Sequence, residues 1–340
     1  MINKSFKEFK KIHKKKINQV IYSWINVKNE NFLINLINNF LIVKNSFVFE
    51  SVEKGKIRGR YTIFGKDPDK IWEFNNGNGY SIKSNKKIRI KGSPKKIIEK
   101  IIENFKFTIP KNLPPISSII SGYFSYDIIR YIENIPNNCK NDLELPDVRL
   151  IRPIQLVIYD NYKKKIYFIF NCFKDQKINN YKKKYDYIKN EILNLEKLIY
   201  LKPINNSKKL LPKKVKIKSN TQKQRFLKMV NIAKKYIKKG DIFQVVLSQR
   251  FETNLSKSPL EIYKKLRTTN PSPFMYFFNF KDFQIIGASP EILVRLRNGK
   301  ITIRPIAGTR PRGVNKKQDD FYIKDLLKDK KELSEHLMLL

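Results

Sequence analysis

Hydrophobic positions along the chain follow two different periods, and their alternation predicts a mixed fold of helices and strands. Between Pro94 and Phe105 the apolar residues share one helical face: Ile97, Ile98, Ile101 and Ile102. Similar spacing predicts helices within residues 5–40, 181–199 and 221–239, and from 319 onward. Runs rich in β-branched and aromatic residues predict strands within residues 46–75, 80–90, 118–126, 154–159, 165–172, 243–251 and 301–306.

A stretch rich in Lys, Pro, Asn and Ser, residues 202–220, predicts an exposed linker. It divides the chain into an N-terminal region, residues 1–201, and a second region, residues 221–340. In the second region, the helix before Gly240 is predicted to bury an apolar stripe of Phe226, Met229, Val230, Ala233 and Ile237. The helical pattern after Asp319 is predicted to bury Ile323, Leu326, Leu327, Leu333 and Leu337.

The chain is strongly basic, with a formal net charge of +41 and an isoelectric point near 10.0. Such a charge favours nucleic-acid binding when it is concentrated on one face. Here the lysines are spread along the whole chain, often beside Asn and Ile. We therefore expect no specific nucleic-acid partner.

Cysteine usage and hydropathy favour a cytoplasmic protein. Cys139 and Cys172 fit neither a metal-ligand spacing nor a disulfide framework, which is typical of a reducing compartment. The basic segment Met1–Lys16 lacks the apolar run of a signal peptide, and no stretch approaches the length of a membrane span. We expect no membrane association.

Residues 240–313 differ in composition from the Lys-, Asn- and Ile-rich sequence around them. Gly, Pro, Ser, Ala and Thr crowd there between short β-branched runs. Because Gly accepts positive φ and Pro fixes its own φ, this composition indicates tight turns or close approach to a ligand. Gln244 and Thr309, taken singly, are ordinary strand and turn residues. The stretch as a whole predicts the location of a binding site.

Four motifs follow one another in this part of the chain: Gln244, GASPE at 287–291, PIAGTRPRG at 305–313 and KELSEHLML at 331–339. In this order and at these spacings they resemble the chorismate-utilising enzymes, most closely anthranilate synthase component I. Residues 47–65 and 122–131 resemble two N-terminal motifs of the same family. The resemblance implies an α+β fold with large antiparallel sheets packed face to face and helices outside.

The resemblance also implies a reaction, in which ammonia adds to chorismate, the C4 hydroxyl leaves and pyruvate is eliminated to give anthranilate. By position, Glu291 matches the acid that protonates the leaving hydroxyl. Gly308 and Thr309 match a substrate-binding turn, and Gln244 and Thr309 complete the implied catalytic set. Ammonia would come from a glutamine amidotransferase subunit, so the resemblance implies a partner chain and an assembly such as a heterotetramer.

Glu332, Glu335 and His336 lie at i, i+3 and i+4, on one face of a predicted helix. The spacing alone is equally typical of a salt-bridged surface among lysines. The resemblance assigns Glu335, together with Glu332, to a magnesium ion, which takes one or two carboxylates plus substrate oxygens and water. Mg²⁺ is therefore the expected cofactor.

The resemblance further implies a tryptophan pocket for feedback inhibition. Ser51 matches one side of that pocket, and Pro273, Phe274 and Met275 match the other. The family more often has Tyr where Phe274 stands, a change that keeps the ring. From the residues alone, Ser51 is equally well explained as the end of a strand.

Two positions distinguish members of this family. Relatives that add water to chorismate carry Lys where Gln244 stands, and aminodeoxychorismate synthase carries Lys where Ala307 stands. Both positions favour anthranilate synthase, and aminodeoxychorismate synthase component I is the alternative enzyme.

The family continues for about a further third of its length beyond the position that matches Leu340. That third holds its catalytic histidine, a second magnesium glutamate, and the tyrosine and arginine that bind substrate carboxylates. We therefore expect residues 1–340 alone to make no anthranilate. The second alternative is a non-catalytic regulatory or partner-binding fragment.

Overall fold

The computed structural model describes residues 2–51, 59–83, 86–105, 107–202 and 215–340. Its helices are α1 (Phe6–Lys14), α2 (Phe32–Phe40), α3 (Pro94–Asn104), α4 (Tyr181–Lys197), α5 (Lys223–Lys239), α6 (Pro259–Thr269), α7 (Lys316–Lys328) and α8 (Lys330–Leu339), with a 3₁₀ helix at Tyr126–Tyr131. Its strands are β1 (Gln19–Asn26), β2 (Ser46–Glu50), β3 (Tyr61–Asn75), β4 (Asn78–Lys83), β5 (Lys86–Ile90), β6 (Ser121–Phe124), β7 (Val148–Asp160), β8 (Lys165–Cys172), β9 (Lys218–Ser219), β10 (Phe251–Glu252), β11 (Phe274–Asn279), β12 (Gln284–Ser289), β13 (Arg295–Arg297) and β14 (Lys300–Thr302).

The contacts divide the chain into two compact units. The first unit comprises residues 1–204 and 263–340, and the second comprises residues 205–262. Most of the predicted linker, residues 203–214, lies outside the described residues. The first unit contains strands from both sides of that linker, and the predicted division into residues 1–201 and 221–340 stays a prediction.

Among the described residues of the first unit, ten antiparallel strands form one sheet, and seven of them follow in the order β1-β8-β7-β3-β2-β11-β12. The long strands β3 and β7 pair along nearly their whole length, and an irregularity between Pro68 and Lys70 interrupts their register. Beyond it, β3 pairs with β4, which pairs with β5, while β7 pairs with β6. The two long strands therefore connect two parts of one sheet.

The two parts of the sheet pack against each other through a shared apolar core. Tyr123 on β6 lies 5.8 Å from Phe280 and 6.0 Å from Phe283, measured between ring centroids, and these two residues lie in the β11–β12 turn. Ile151 and Phe47, from different parts of the sheet, belong to the same buried cluster. The predicted α+β class, with antiparallel strands packed face to face, is confirmed.

Helices cover the outer faces of the sheet. Phe40 on α2 packs edge-on against Phe64 of β3, with ring centroids 5.6 Å apart. The predicted helices 94–105 and 181–199 correspond to α3 and α4, and the predicted strands 154–159 and 165–172 correspond to β7 and β8, which pair antiparallel. Both helices begin at a side-chain cap, Ser93 and Asn180 respectively.

The early helix predicted within residues 5–40 is confirmed as two helices, α1 and α2, but the strand β1 between them was not predicted. Five consecutive residues of β1, from Gln19 to Ser23, are buried, so the strand lacks the polar alternation of a half-exposed strand. A short apolar run of this kind cannot be assigned to helix or strand from periodicity.

The prediction of strands at 243–251 and 301–306 is largely wrong. Only Phe251–Glu252 and Lys300–Thr302 pair with a neighbour, and Phe243 and Val246 are each 85% exposed. β-branched composition alone does not form a strand, because the backbone N–H and C=O groups need a partner strand. Pro305 has no N–H to donate, which disfavours pairing of the second segment.

The apolar stripes predicted on the C-terminal helices are not buried in the described residues. No side chain of α5, α7 or α8 is buried, and Ile237, Leu327 and Leu337 are 44%, 64% and 73% exposed. The helices themselves are confirmed, including Gly240 as the left-handed C-cap of α5 with φ of 79°.

Neither Cys139 nor Cys172 forms a disulfide, as predicted. Cys139 is exposed and Cys172 is buried, and burial raises the pKa of the Cys172 thiol to about 12. No helix within the described ranges is both long enough and apolar enough to cross a membrane.

Candidate functional site

The strand pairing of β2 with β11 brings together residues from distant parts of the sequence. Met275 on β11 lies opposite Glu50, the last residue of β2. Ser51 follows Glu50 and Phe274 precedes Met275, so the antiparallel register places Ser51 and Phe274 at the same end of the strand pair. Met275 is 1% exposed and Phe274 is 42% exposed. The structure therefore places Ser51, Pro273, Phe274 and Met275 together, as the tryptophan-pocket prediction requires.

A buried carboxylate that the sequence analysis did not select supports this end of the sheet. Glu50 accepts a 2.5 Å hydrogen bond from the Tyr263 hydroxyl and bonds of 2.7 and 2.9 Å from Nε of Arg267. Burial, and then the negative charge of Glu50, raise the pKa of Tyr263 well above its ordinary value, so the hydroxyl keeps its proton and donates. These bonds fix α6 to the end of β2. Glu50 carried no separate signal, because a lone Glu in a strand motif does not reveal its partners.

The GASPE motif forms the end of β12 and the turn that follows it. Gly287 lies opposite Tyr276 on β11, and a Cβ at position 287 would lie 2.2 Å from the Tyr276 ring. Beyond the strand, the Ser289 hydroxyl accepts a 3.3 Å bond from the backbone N–H of Glu291 and donates a 3.1 Å bond to its carbonyl. Glu291 is therefore held by its backbone while its side chain is exposed.

The PIAGTRPRG motif is a loop that Arg310 attaches to the C-terminal helices. The Arg310 guanidinium bonds Asp325 and Asp329 at 2.6 Å each and Glu332 at 3.4 Å. These hydrogen bonds raise the pKa of Arg310 above its ordinary value. The backbone N–H of Gly313 also donates to Asp319 of α7, at 2.9 Å. The loop consequently has a defined position against α7 and α8.

Gly308 lies directly against the carboxylate of Glu332. A Cβ at position 308 would lie 1.8 Å from Oε2 of Glu332, closer than any side chain permits. The contact brings together two motifs that were predicted separately, the predicted substrate-binding turn and the predicted metal ligands. Thr309, the next residue in the loop, is exposed.

The carboxylates of α8 fit a magnesium ion in their chemistry. Glu332 and Glu335 are one turn apart on α8, and both are half-buried. Among the described residues no group of three or more His, Cys, Asp or Glu side chains is placed to hold a metal. Magnesium does not need such a group, since it is usually held by one or two carboxylates with water and substrate oxygens. Glu332 also bonds Arg310, which orients its carboxylate.

Gln244 lies in the second unit, in a segment without regular secondary structure, and it is exposed. The nearest regular elements in this unit are α5 and the short ribbon of β9 with β10, which is extended by a 3.0 Å bond from the N–H of Asn220 to the carbonyl of Arg250. The predicted catalytic role of Gln244 stays a prediction.

Comparison with known proteins identifies the family to which the chain is similar. Residues 59–340 match the model of the chorismate binding enzymes. The chain is 35% identical to anthranilate synthase component 1 of Cereibacter sphaeroides over 99% of its own length and 68% of that protein. It is 40% identical to the Acetivibrio thermocellus protein of the same name, over 86% of this chain and 60% of that one.

A solved structure agrees with these sequence matches. Anthranilate synthase component I from Streptococcus pneumoniae superposes with a TM-score of 0.70 and 29% identity, covering 85% of this chain and 61% of that one. The chain thus spans about three fifths to two thirds of the length of the relatives that it matches.

Proposed function

The chain belongs to the chorismate binding enzyme family, and from that premise we propose that it acts as the large subunit of an anthranilate synthase. The proposed reaction converts chorismate and ammonia to anthranilate and pyruvate, a lyase reaction of tryptophan biosynthesis. The names of the matched relatives and of the solved structure support this assignment. Ala307 also favours anthranilate synthase, because aminodeoxychorismate synthase, which resembles this sequence, carries Lys at the matching position.

The contact between Gly308 and Glu332 carries the proposal, because it joins a substrate-binding loop to a carboxylate pair. In the proposed mechanism the Gly308–Thr309 turn binds chorismate, with the Thr309 hydroxyl and backbone N–H groups as donors. Glu332 and Glu335 would hold magnesium. A bound magnesium ion would neutralise the ring carboxylate of chorismate and the charge that develops during elimination.

Glu291 is proposed to protonate the departing C4 hydroxyl. A carboxylic acid is suited to this step because it can hold a proton and deliver it as the C–O bond breaks. Gln244 is proposed to orient the ammonia nucleophile. No general base is needed at that position, since ammonia is nucleophilic without losing a proton first.

Tryptophan is the proposed feedback inhibitor, bound at the end of β2 and β11. The adjacency of Ser51 and Phe274 supports this proposal, since a polar side chain beside an exposed aromatic ring suits an amphipathic amino acid. A glutamine amidotransferase subunit is the proposed source of ammonia, in a heterotetrameric assembly. We place the reaction in the cytoplasm.

The proposal is tested by calorimetric titration of a competent, full-length version of the protein with chorismate, with and without Mg²⁺. The tyrosine and arginine that the resemblance places beyond Leu340 are then present, so the titration reports on the residues described above. We expect saturable chorismate binding that strengthens with Mg²⁺. An absence of binding at millimolar chorismate would contradict the proposed function, and Mg²⁺-independent binding would contradict the role of Glu332 and Glu335.

A further inference from the structure

The first unit contains a cavity of about 580 Å³ between α3 and the sheet. None of the described residues that line it belongs to the candidate site described above. The floor of the cavity is apolar and includes Trp72, Ile97, Ile101 and Ile120. Trp72 is only 8% exposed, so its indole ring forms part of the wall rather than of the open surface.

The described lining of the cavity is strongly basic. Six of its lining residues are basic (Lys70, Lys91, Lys96, Lys100, Lys174 and Arg152) and one is acidic (Asp175). The ratio in the whole chain is 71 basic to 30 acidic residues. The ratio of basic to acidic residues in the cavity lining is therefore higher than the ratio in the whole chain.

Two of the basic groups are already neutralised. Arg152 bonds Asp69 at 2.6 and 2.8 Å and Asp175 at 2.9 Å, and Lys70 also pairs with Asp175. The structure shows no carboxylate partner for Lys91, Lys96, Lys100 or Lys174 within the described part of the chain. Among the described residues, four ammonium groups thus lie around the apolar part of the lining without a carboxylate partner.

We propose that this cavity binds a small organic anion with a ring-sized apolar body. Its volume falls within the roughly 300–1,000 Å³ of typical small-molecule sites. The apolar body would lie on Trp72 and the isoleucines, where burial and ring stacking stabilise it. The anionic group would lie among the lining lysines, which attract it through charge. This site is additional to the proposed chorismate and tryptophan sites and does not depend on them.

The chain carries a built-in reporter for this proposal. It has two tryptophans, and Trp24 is 46% exposed on β1 beneath Lys165, outside the cavity. The variant Trp24→Phe leaves Trp72 as the only indole. Titration of that variant with 4-nitrobenzoate, an aromatic anion that quenches indole on contact, reports occupancy of the cavity. The uncharged 4-nitrobenzamide is the matched probe.

Two pairs of substitutions make the test specific. Lys96→Gln with Lys100→Gln removes two charges from the cavity lining, whereas Lys95→Gln with Lys189→Gln removes two exposed charges elsewhere. We expect saturable quenching that is at least roughly fivefold tighter for the anion than for the amide, and roughly fivefold weaker in the cavity-lining pair only. Linear quenching, equal quenching by the two probes, or equal effects of the two pairs would overturn the proposal.

Discussion

The Tyr263 hydroxyl donates a 2.5 Å hydrogen bond to the buried carboxylate of Glu50, and so joins α6 to the end of β2. Tyr263 is fully buried, and Glu50 is 5% exposed. Because Ser51 follows Glu50 directly, this bond also positions one side of the proposed tryptophan pocket. A small group of polar side chains thus supports both the fold and the proposed regulatory site.

Tyr263→Phe removes this bond while keeping the ring. We expect the free energy of unfolding to fall by about 1.5–3 kcal/mol, the usual contribution of a hydrogen bond to a charged group. Urea denaturation of the variant and of the unmodified chain measures this change in the free energy of unfolding. Tyr200→Phe, at a position that is 71% exposed, is the matched control and should change little. Equal stability of the two variants would show that Arg267 alone satisfies Glu50.

Ser51→Arg should abolish tryptophan binding, because it places a long charged side chain beside Phe274 at the end of β2 and β11. Calorimetric titration with tryptophan is the measurement. Asn194→Arg adds the same charge on the exposed face of α4 and should bind tryptophan like the unmodified chain. If Ser51→Arg retained the original affinity, the pocket assignment would be wrong.

Gly308→Ala should weaken Mg²⁺-dependent chorismate binding by roughly tenfold or more, because its Cβ displaces the Glu332 carboxylate. The fold should tolerate the change within about 1 kcal/mol, since the displaced group is the end of a flexible side chain. A double-mutant cycle with Glu332→Gln checks the cause, and the two effects should not add. Additive losses would indicate that Gly308 acts independently of Glu332.

Asp160 at the end of β7 provides a pH-dependent contribution to stability. Burial alone would raise its pKa, but hydrogen bonds from Arg60 and from the backbone N–H groups of Lys163 and Tyr162 lower the pKa below its ordinary value. The native state therefore binds the proton less readily than the unfolded chain does. This stabilisation is complete above the unfolded pKa of about 3.9 and is lost as the pH falls through the lower native pKa.

Asp160→Asn tests this contribution by unfolding experiments at neutral and acid pH. We expect a loss of about 1–3 kcal/mol at pH 7 that shrinks below about pH 4. Asp186→Asn, on α4 in an exposed pair with Lys182, should cost less than about 1 kcal/mol. A loss at Asp160 that did not change with pH would argue against the ionic origin of the effect.

The local hydrophobic pattern was sufficient to predict those helices and strands whose sequence periodicity is regular. The isoleucine stripe of α3 and the β7–β8 hairpin follow from side-chain spacing and a short polar loop. β1 could not be predicted in this way, because its first five residues are buried on both faces of the strand. The segment after Gly240 has strand composition but forms only the short β10, because pairing depends on neighbours that local sequence does not specify.

Less of the candidate site than of the fold could be predicted from local sequence pattern. The adjacency of Ser51 and Phe274 followed from family resemblance, since no local pattern joins positions so far apart in the chain. The contact of Gly308 with Glu332 joins two predicted groups, but its closeness is a tertiary feature. Glu50, Tyr263 and Arg310 were not predicted, because a hydrogen-bonding role depends on partners that only the fold brings near.

Glu335→Gln tests the proposed function most directly, since it removes a charge from the predicted magnesium site and preserves the shape of the side chain. We expect calorimetry to show Mg²⁺-dependent chorismate affinity reduced at least roughly tenfold, with the unfolding midpoint unchanged. Glu103→Gln, an exposed carboxylate on α3, is the matched control and should bind chorismate normally. Chorismate affinity and magnesium dependence that were the same in Glu335→Gln, Glu103→Gln and the unmodified chain would contradict the account.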